Sequence, residues 1–367
     1  MVFVDTETAG TPIDDTTERH ELTIGVACHV RTRRDRGKDR IKEEWFEFTS
    51  REHFWAWVEK TQRPRSKTYV FAHNWNFDAG VLRVQEWAKC GGWECITYIN
   101  DAPPFLVVFR KGSRTIALVD TLNYFQGSLA SIGKSVGLPK GVMPDADASL
   151  DLWRAYNRRD VEILVRAILR MRDFVAENDL GNWQQTLASQ AMTAYRHRFM
   201  HTRILIHDNQ AACELERESY YGGRTECFYL GDVKDDLYYL DVNSMYPAVM
   251  AVEEFPTILQ GYVQSASIKN TQNKLRNHLC TAEALVSVSE PVFPLRHGGR
   301  LVFPVGEFTA ALSTPELRYG FERGYIKEIR RLAWYEKAPI FSAFVGEIYK
   351  LRRQFADAGN ETFSYLA

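Results

Sequence analysis

A chain of 367 residues and 42.3 kDa is long enough for two or three domains with proper cores. Its 46 Lys and Arg against 47 Asp and Glu give a formal net charge of −1, which excludes attachment to nucleic acid by bulk charge alone but not a local basic groove beside acidic metal sites. Six cysteines (Cys28, Cys90, Cys95, Cys213, Cys227, Cys280) without a C-x-x-C pair or a neighbouring His at zinc spacing, no apolar run of membrane length and no leader-like start imply free thiols, no membrane and a cytoplasmic setting.

The chain opens on Val2-Phe3-Val4, an apolar run that reads as a short buried strand ending in Asp5 and Glu7. Residues two apart on a strand share a face, so both carboxylates project together. Two acids on one side of a buried strand are most cheaply satisfied by a divalent cation; a solvated turn is the plainer alternative. Strands follow at Leu22–Cys28 and Trp45–Phe48, a helix over Arg51–Thr61, and a strand at Thr68–Ala72. That strand runs into His73-Asn74-Trp75-Asn76-Phe77-Asp78, where a helix opens with Asp78 in its first turn.

Two further strands, Phe105–Phe109 and Thr115–Val119, lead to Asp120-Thr121-Leu122, and a short helix covers Ser131–Val136. Leu150 to Phe174 has a long amphipathic helical pattern with Tyr156 and Asp160 four apart, hence on one face. Strands with interleaved helices indicate a mixed α/β domain. A helix over Gln184–Met200 then leads to Glu214–Tyr221, and strands are expected at Cys227–Leu230 and Leu237–Asp241. Broken strand-like sequence occupies Leu285–Leu301; Leu317–Phe321 is helical, Ile326–Trp334 a strand and Ile340–Phe355 an amphipathic helix. Neither repeats nor a low-complexity linker occur, and the best boundary lies near residues 180–225.

Asp5, Glu7, Asp78 and Asp160 stand out by position. Singly, the plainer reading is the better one: Asp78 as a helix-start charge, and Tyr156 with Asp160 as a surface pair. Hydrolysing a phosphodiester with two metals needs several carboxylates to hold the ions about 4 Å apart, and a group to orient water. In order, D-x-E, N-x-x-F-D (Asn74, Phe77, Asp78) and Y-x-x-x-D (Tyr156, Asp160) match the three exonuclease motifs of the family B DNA polymerases, and the chain resembles the protein-primed branch of that family.

The resemblance implies that Thr8, Asn74, Phe77, Thr121 and Leu122 bind a frayed single-stranded 3′ end. It also implies that Lys140, in Lys140-Gly141-Val142-Met143, assists exonucleolysis, with Lys134 as a nearby competitor. Tyr239-Leu240-Asp241-Val242-Asn243-Ser244-Met245-Tyr246-Pro247 resembles the polymerase motif A, D-x-x-S-L-Y-P, with Met245 in place of Leu. Asp241 would then hold both catalytic metals with help from the Val242 carbonyl, a strand delivering it and Pro247 fixing the turn beyond. Tyr246 would lie under the incoming sugar. Tyr220-Tyr221-Gly222-Gly223 is similar to the Y-x-G-G loop, its glycines permitting close approach to a DNA phosphate. Arg352, on a basic helix face that is otherwise merely solvated, is the candidate for the nucleotide triphosphate.

The implied fold is a ribonuclease H-like 3′–5′ exonuclease domain over 1–180, a connecting helix and Y-x-G-G loop over 181–224, and a partial α+β polymerase palm with a protein-primed-type insertion and the start of the fingers over 225–367. The implied cofactors are two divalent ions, Mg²⁺ or Mn²⁺. The implied partners are single-stranded and primer-template DNA, dNTP and a terminal protein, in the cytoplasm of a host cell or in an organelle. Motif B (K-x-x-x-N-S-x-Y-G) and motif C (D-T-D) are absent; Asp145-Ala146-Asp147 precedes Tyr156 and does not stand in for the latter. The expectation is the N-terminal part of a polymerase with a complete exonuclease site and an incomplete polymerase site, the rest of the palm residing on a second chain or nowhere. The alternatives are a free-standing D-E-D-D exonuclease resembling ribonuclease D and a non-catalytic DNA-binding fragment.

Overall fold

A computed structural model describes residues 1–367 except positions 15, 16, 36, 37, 102, 146 and 367, so the centre of the Asp145-to-Asp147 triplet lies outside the described residues. Two units emerge, residues 1–198 with 348–367, and residues 199–347.

The first unit runs β1 (Val2–Pro12), β2 (Glu18–Asp35), β3 (Lys38–Phe48), α1 (Arg51–Thr61), β4 (Lys67–Ala72), α2 (Trp75–Val81), α3 (Val84–Cys90), β5 (Glu94–Asn100), β6 (Phe105–Lys111), β7 (Arg114–Asp120), α4 (Leu129–Ser135), α5 (Leu150–Glu177) and α6 (Leu187–Ala194). Its seven strands form one mixed sheet in the order β3-β2-β1-β4-β7-β6-β5, with β1, β4 and β7 parallel at the centre. The side-chain period of two divides β1 between the sheet's faces. Val2 and Val4 enter an apolar cluster with Phe54, Trp55, Trp75 and Leu82 from α1, α2 and the turn after it. Phe3 points the other way and stacks on Phe71 at 5.1 Å. On that second face α5 packs across β1 and β2.

The expected strand of residues 2–4 does not end at Asp5. It continues to Pro12, held on one side by antiparallel pairing to β2, so the acids lie within a strand. On the other side β4 pairs only with Val2 and Phe3 before diverging, and this opens the space beside Asp5. The apolar run marked only the part of β1 that is buried on both faces. The expected helix over Gln184–Met200 is also shorter: α6 spans Leu187–Ala194 and passes into a wider turn over Tyr195–Phe199.

The second unit carries α7 (Gln210–Glu218), α8 (Met245–Val252), β8 (Phe255–Val263), α9 (Ile268–Asn277), β9 (Leu279–Val288), β10 (Leu295–His297), β11 (Arg300–Val302), β12 (Gly306–Leu312), α10 (Thr314–Glu322) and β13 (Ile326–Ala338). Four of its strands form an antiparallel sheet, β12-β9-β13-β8. Cys280, Ala282, Ala284, Val286 and Val288 alternate along β9 into a core shared with Leu275 of α9 and Leu317 of α10. Helix α11 (Ser342–Asp357) leaves this unit, and its later part returns to the first with α12 (Glu361–Leu366), where Phe355 and Phe363 meet Phe174 and Phe125.

The strands expected at Cys227–Leu230 and Leu237–Asp241 are not formed; residues 220–242 contain no helix or strand. Their alternating aromatic and aliphatic residues suit a pleated, half-buried surface, and strand propensity is realised only against a neighbouring strand. Here Tyr239 is 98% exposed and Leu240 88%. The chain turns at Ser244, in the left-handed region (φ 56°), and Pro247 lies in the first turn of α8, where a missing N–H costs nothing.

Candidate active site

Alternation along β1 aims Asp5 and Glu7 at α5, and Thr6 at α2 on the opposite face. Helix α5 presents Asn157 and Asp160, three apart and on one face, to the acids. Carboxylate oxygens of Asp5, Glu7 and Asp160 lie within 4.8 Å of one another. Asn157 Nδ2 donates to Asp5 Oδ2 at 2.6 Å. From the other face Thr6 Oγ1 donates to Asp78 Oδ1, also at 2.6 Å. Asp78 thus stands outside the three-acid cluster, yet it is the charge that acts most strongly on Asp5.

The electrostatics are those of a site short of positive charge. Burial, then the neighbouring Asp78, Asp160 and Glu7, push the Asp5 carboxyl well above the usual carboxylate range. Burial raises Glu7 and Asp160 as well. Asp78 is pushed up to about 7, chiefly by burial, with the Thr6 hydrogen bond opposing and Asp120 adding. Lys140 Nζ donates to Asp160 Oδ2 and sits 4.5 Å from the centre of the Tyr156 ring. Burial would lower this ammonium, but its hydrogen bonds to Asp160 and Tyr156 carry it above the usual lysine range. Asp160 Oδ1, buried, accepts no hydrogen bond among the described residues. An orphaned, buried carboxylate oxygen beside two more acids fits a divalent cation, for which hard oxygen donors are the suitable set.

Lys140 reaches this place through a tight loop. A Cβ on Gly133 would lie 2.5 Å from the Leu138 carbonyl oxygen, so only glycine lets the loop after α4 fold back against α5. Lys134 is exposed at the end of α4, while Val142 and Met143 beyond Lys140 are also exposed.

The residues expected at the DNA end divide into two groups. Thr8 Oγ1 lies 3.0 Å from His20 Nδ1, and His20 meets Phe77, 40% exposed, edge-on at 5.8 Å. Together they make an open ledge next to the acids. Thr121 is buried, its hydroxyl donating to the Ala72 carbonyl and lying 2.9 Å from His73 Nδ1. Leu122 is half-buried, and Asn74 adopts the left-handed conformation (φ 70°) ahead of α2.

Spacing alone missed Thr6, Asn157, His20 and Asp120. Asp120 accepts from the backbone N–H groups of Asn74 (3.0 Å), Trp75 (2.7 Å) and Leu122 (2.9 Å). This clamps the start of α2, and therefore Asp78, to the end of β7. Asp120→Ala orphans three buried or half-buried donors, an expected loss of about 3 kcal/mol. A thermal melt should show a fall on the order of 6–12 °C. A midpoint within a degree of the parent would refute the clamp.

In the second unit Asp241 is exposed on irregular backbone, and the Val242 carbonyl accepts from Met245 N–H at 3.2 Å. Asp241 belongs to no group of three or more metal-ligating side chains among the described residues. Tyr246 is exposed on α8, and its Oη lies 3.5 Å from where a Cβ on Gly223 would be, so the Gly222-Gly223 loop runs beside motif A. Tyr220 is exposed, and its carbonyl accepts from Arg296 at 2.5 Å. Arg352 is exposed on the part of α11 assigned to the first unit.

Residues 148–367 match the family described as DNA polymerase type B, organellar and viral, and that span is more than half of the chain. The chain belongs to this polymerase family. The match covers both the Tyr220-to-Gly223 loop and Asp241, so the free-standing ribonuclease D-like alternative is set aside. Among curated relatives of this type B polymerase chain, a "Probable DNA polymerase" of Agaricus bitorquis is 26% identical over 167 residues, covering 43% of this chain and 21% of that protein. A DNA polymerase of Kluyveromyces lactis is 23% identical over 237 residues, 59% and 23% of the two. The chain therefore matches only about a fifth of the length of these relatives. Among solved structures, phi29 DNA polymerase complexed with primer-template DNA and incoming nucleotide substrates aligns over 100% of this chain and 66% of its own, at a TM-score of 0.70 and 15% identity. The same polymerase complexed with single-stranded DNA aligns at 0.62 and 16% identity, over 99% and 66%. At such identity the likeness is one of fold.

No helix among the described residues is long and apolar enough to cross a membrane.

Proposed function

We propose that this chain is the editing half of a protein-primed type B DNA polymerase: a 3′–5′ exonuclease site in its first unit, and in the second a motif A segment and an insertion suited to a terminal protein. The observation that carries the reading is the meeting of Asp5, Glu7 and Asp160 around a buried oxygen without a partner among the described residues, with Lys140 at the same carboxylate and over the Tyr156 ring. Asp5, Glu7, Asp78 and Asp160 would hold two divalent cations, Mg²⁺ or Mn²⁺, which when bound supply an activated water and neutralise the leaving oxygen. Asn157 and Thr6 fix the rotamers of Asp5 and Asp78. The Tyr156 hydroxyl orients the attacking water, and the Lys140 ammonium offsets charge that builds on the phosphoryl oxygens. Thr8, Asn74, Phe77 and Leu122 hold the terminal nucleotides, with the Phe77 ring as a stacking surface.

In the motif A segment Asp241 would serve metal binding with the Val242 carbonyl, Tyr246 the sugar of a dNTP, Tyr220 with Gly222 and Gly223 the template phosphate, and Arg352 the triphosphate. A single bridging carboxylate leaves both ions short of protein ligands, so Asp241 needs a further acid beside it before this site can polymerise. The test is a 5′-labelled single-stranded oligonucleotide and a primer-template offered to the purified chain with Mn²⁺. A ladder of 3′-shortened products without primer extension supports the reading; extension overturns the incompleteness, and an undigested oligonucleotide overturns the exonuclease.

Phe77→Ala should weaken binding of a short single-stranded oligonucleotide by about 1–3 kcal/mol, roughly 5- to 150-fold. The ring is exposed, so the melting temperature should stay put. Fluorescence anisotropy on catalytically silent protein reads the affinity. Unchanged affinity removes the ring from the substrate path.

A further inference from the structure

We propose a zinc site in the second unit, built from His207, Cys213 and Glu216 and separate from the acidic site above. The three side chains are half-buried, and each offers a ligand atom within 4.8 Å of the others. Helix α7 creates the pairing. Asn209 caps it by accepting from Ala212 N–H at 3.1 Å, Ala212 and Leu215 are buried against Ala333 and Tyr335, and Cys213 and Glu216, three apart, flank that buried strip on one face. His207, two residues before the cap, folds back over this face: Nδ1 lies 3.7 Å from Cys213 Sγ, and Nε2 lies 2.9 Å from Glu216 Oε1. The spacing H-x5-C-x2-E escapes a search for close Cys or His pairs.

Three features select the ion. A thiolate, an imidazole and a carboxylate form a donor set of mixed softness that suits Zn²⁺ and not Mg²⁺ or Ca²⁺. Tetrahedral zinc places its donors about 3.5 Å apart, and the three ligand atoms already lie within 4.8 Å of one another; because Cys213 and Glu216 face different nitrogens of the His207 ring, a turn of that ring brings all three onto one ion. One thiolate and one carboxylate neutralise a divalent ion, and a neutral centre is cheap beside the cavity that His207, Cys213 and Glu216 line. That cavity, of about 890 Å³, has mostly apolar walls that include Ile204, Phe255 and Leu259. Tyr335 Oη donates to Glu216 Oε1 at 2.6 Å, a hydroxyl that would fix the carboxylate from outside the ligand set. Three protein ligands leave a fourth position, which a water or a ligand in the cavity would fill.

The test titrates metal-free protein with Co²⁺ as a spectroscopic stand-in for zinc. One equivalent should give a thiolate-to-cobalt charge-transfer band together with the visible bands of a tetrahedral ion, and Zn²⁺ should displace both. Carboxylate sites cannot produce the charge-transfer band, so the acids of the first unit do not confuse the result. Cys213→Ser should abolish that band; Tyr335→Phe should keep it while weakening zinc binding by about 10- to 100-fold. In the unaltered protein, zinc should protect Cys213 from alkylation, read by peptide mapping, which needs no variant to fold. Absence of the band, its survival in Cys213→Ser, or equal alkylation with and without zinc each overturns the site.

Discussion

Asp160→Ala should lower the rate of 3′–5′ degradation by on the order of a thousandfold, equivalent to about 4 kcal/mol of barrier. Asp160 is the carboxylate at which two elements converge: α5 supplies it and the loop after α4 brings Lys140 to one oxygen, while the other oxygen is buried without a partner among the described residues. Removing it breaks the cluster with Asp5 and Glu7 and releases Lys140 together. Asp160→Asn keeps the shape and loses the charge, so an equal loss in both variants assigns the effect to charge. Because the ledge of Phe77, His20 and Thr8 is untouched, oligonucleotide affinity in anisotropy should stay within a few-fold of the parent. Digestion by Asp160→Ala within tenfold of the parent rate would take the metal away from this acid.

The four acids of the site should lower the melting temperature of the metal-free chain as pH rises from 5 to 8, against an opposite contribution from His29, His73 and the Met1 amine, which burial holds below their usual ranges, and divalent metal should reverse the acids' share. Asp78 has a folded pKa of about 7 against 3.8 in the unfolded chain, and Asp5, Glu7 and Asp160 are shifted in the same direction. Between those values the folded chain keeps protons that the unfolded chain has released. Raising pH through that window therefore favours unfolding. Cations that replace the protons stabilise most where the protons are gone. At 100 times its dissociation constant a metal adds about 2.7 kcal/mol, which for a unit of this size is on the order of 5–10 °C at pH 8. At pH 5 the increment should shrink. Asp78→Asn retains an acceptor for Thr6 and removes one repelling charge, so without metal at pH 8 it should melt above the parent and respond less to Mn²⁺. A metal increment equal at pH 5 and pH 8, or an Asp78→Asn variant that melts with the parent at pH 8 without metal, sinks this account of the site.

Sequence patterns recovered the first unit well where a single force dominates. The helix expected at Arg51–Thr61 forms over those residues, since its apolar face and Ser50 cap agree. Strands β4, β6 and β7 lie within two residues of their apolar runs because both of their faces are covered. The acids could be placed in order because each sits on an element with a readable period. What spacing could not supply was the matching of faces. Asn157 meets Asp5 across 152 positions, and nothing in the local spacing of Asp120-Thr121-Leu122 marks Asp120 as the acceptor for three backbone donors. The second unit was less legible. Segments β8, α8, α9 and β12 went unread, being short or mixed in character, and the strands expected around Tyr229 and Tyr239 depend on pairing that local sequence does not encode.

β1 deals its side chains left and right, Val2, Val4 and Thr6 toward α2 and Phe3, Asp5 and Glu7 toward α5. Such a strand tolerates a change of letter but not of count. One residue inserted or deleted between Val4 and Glu7 would turn a carboxylate toward the aromatic core and send Thr6 away from Asp78. Descendants of this chain can therefore lose the acids by substitution, one at a time, with the sheet intact. Frame-preserving gain or loss of a codon in this stretch would cost them the domain as well.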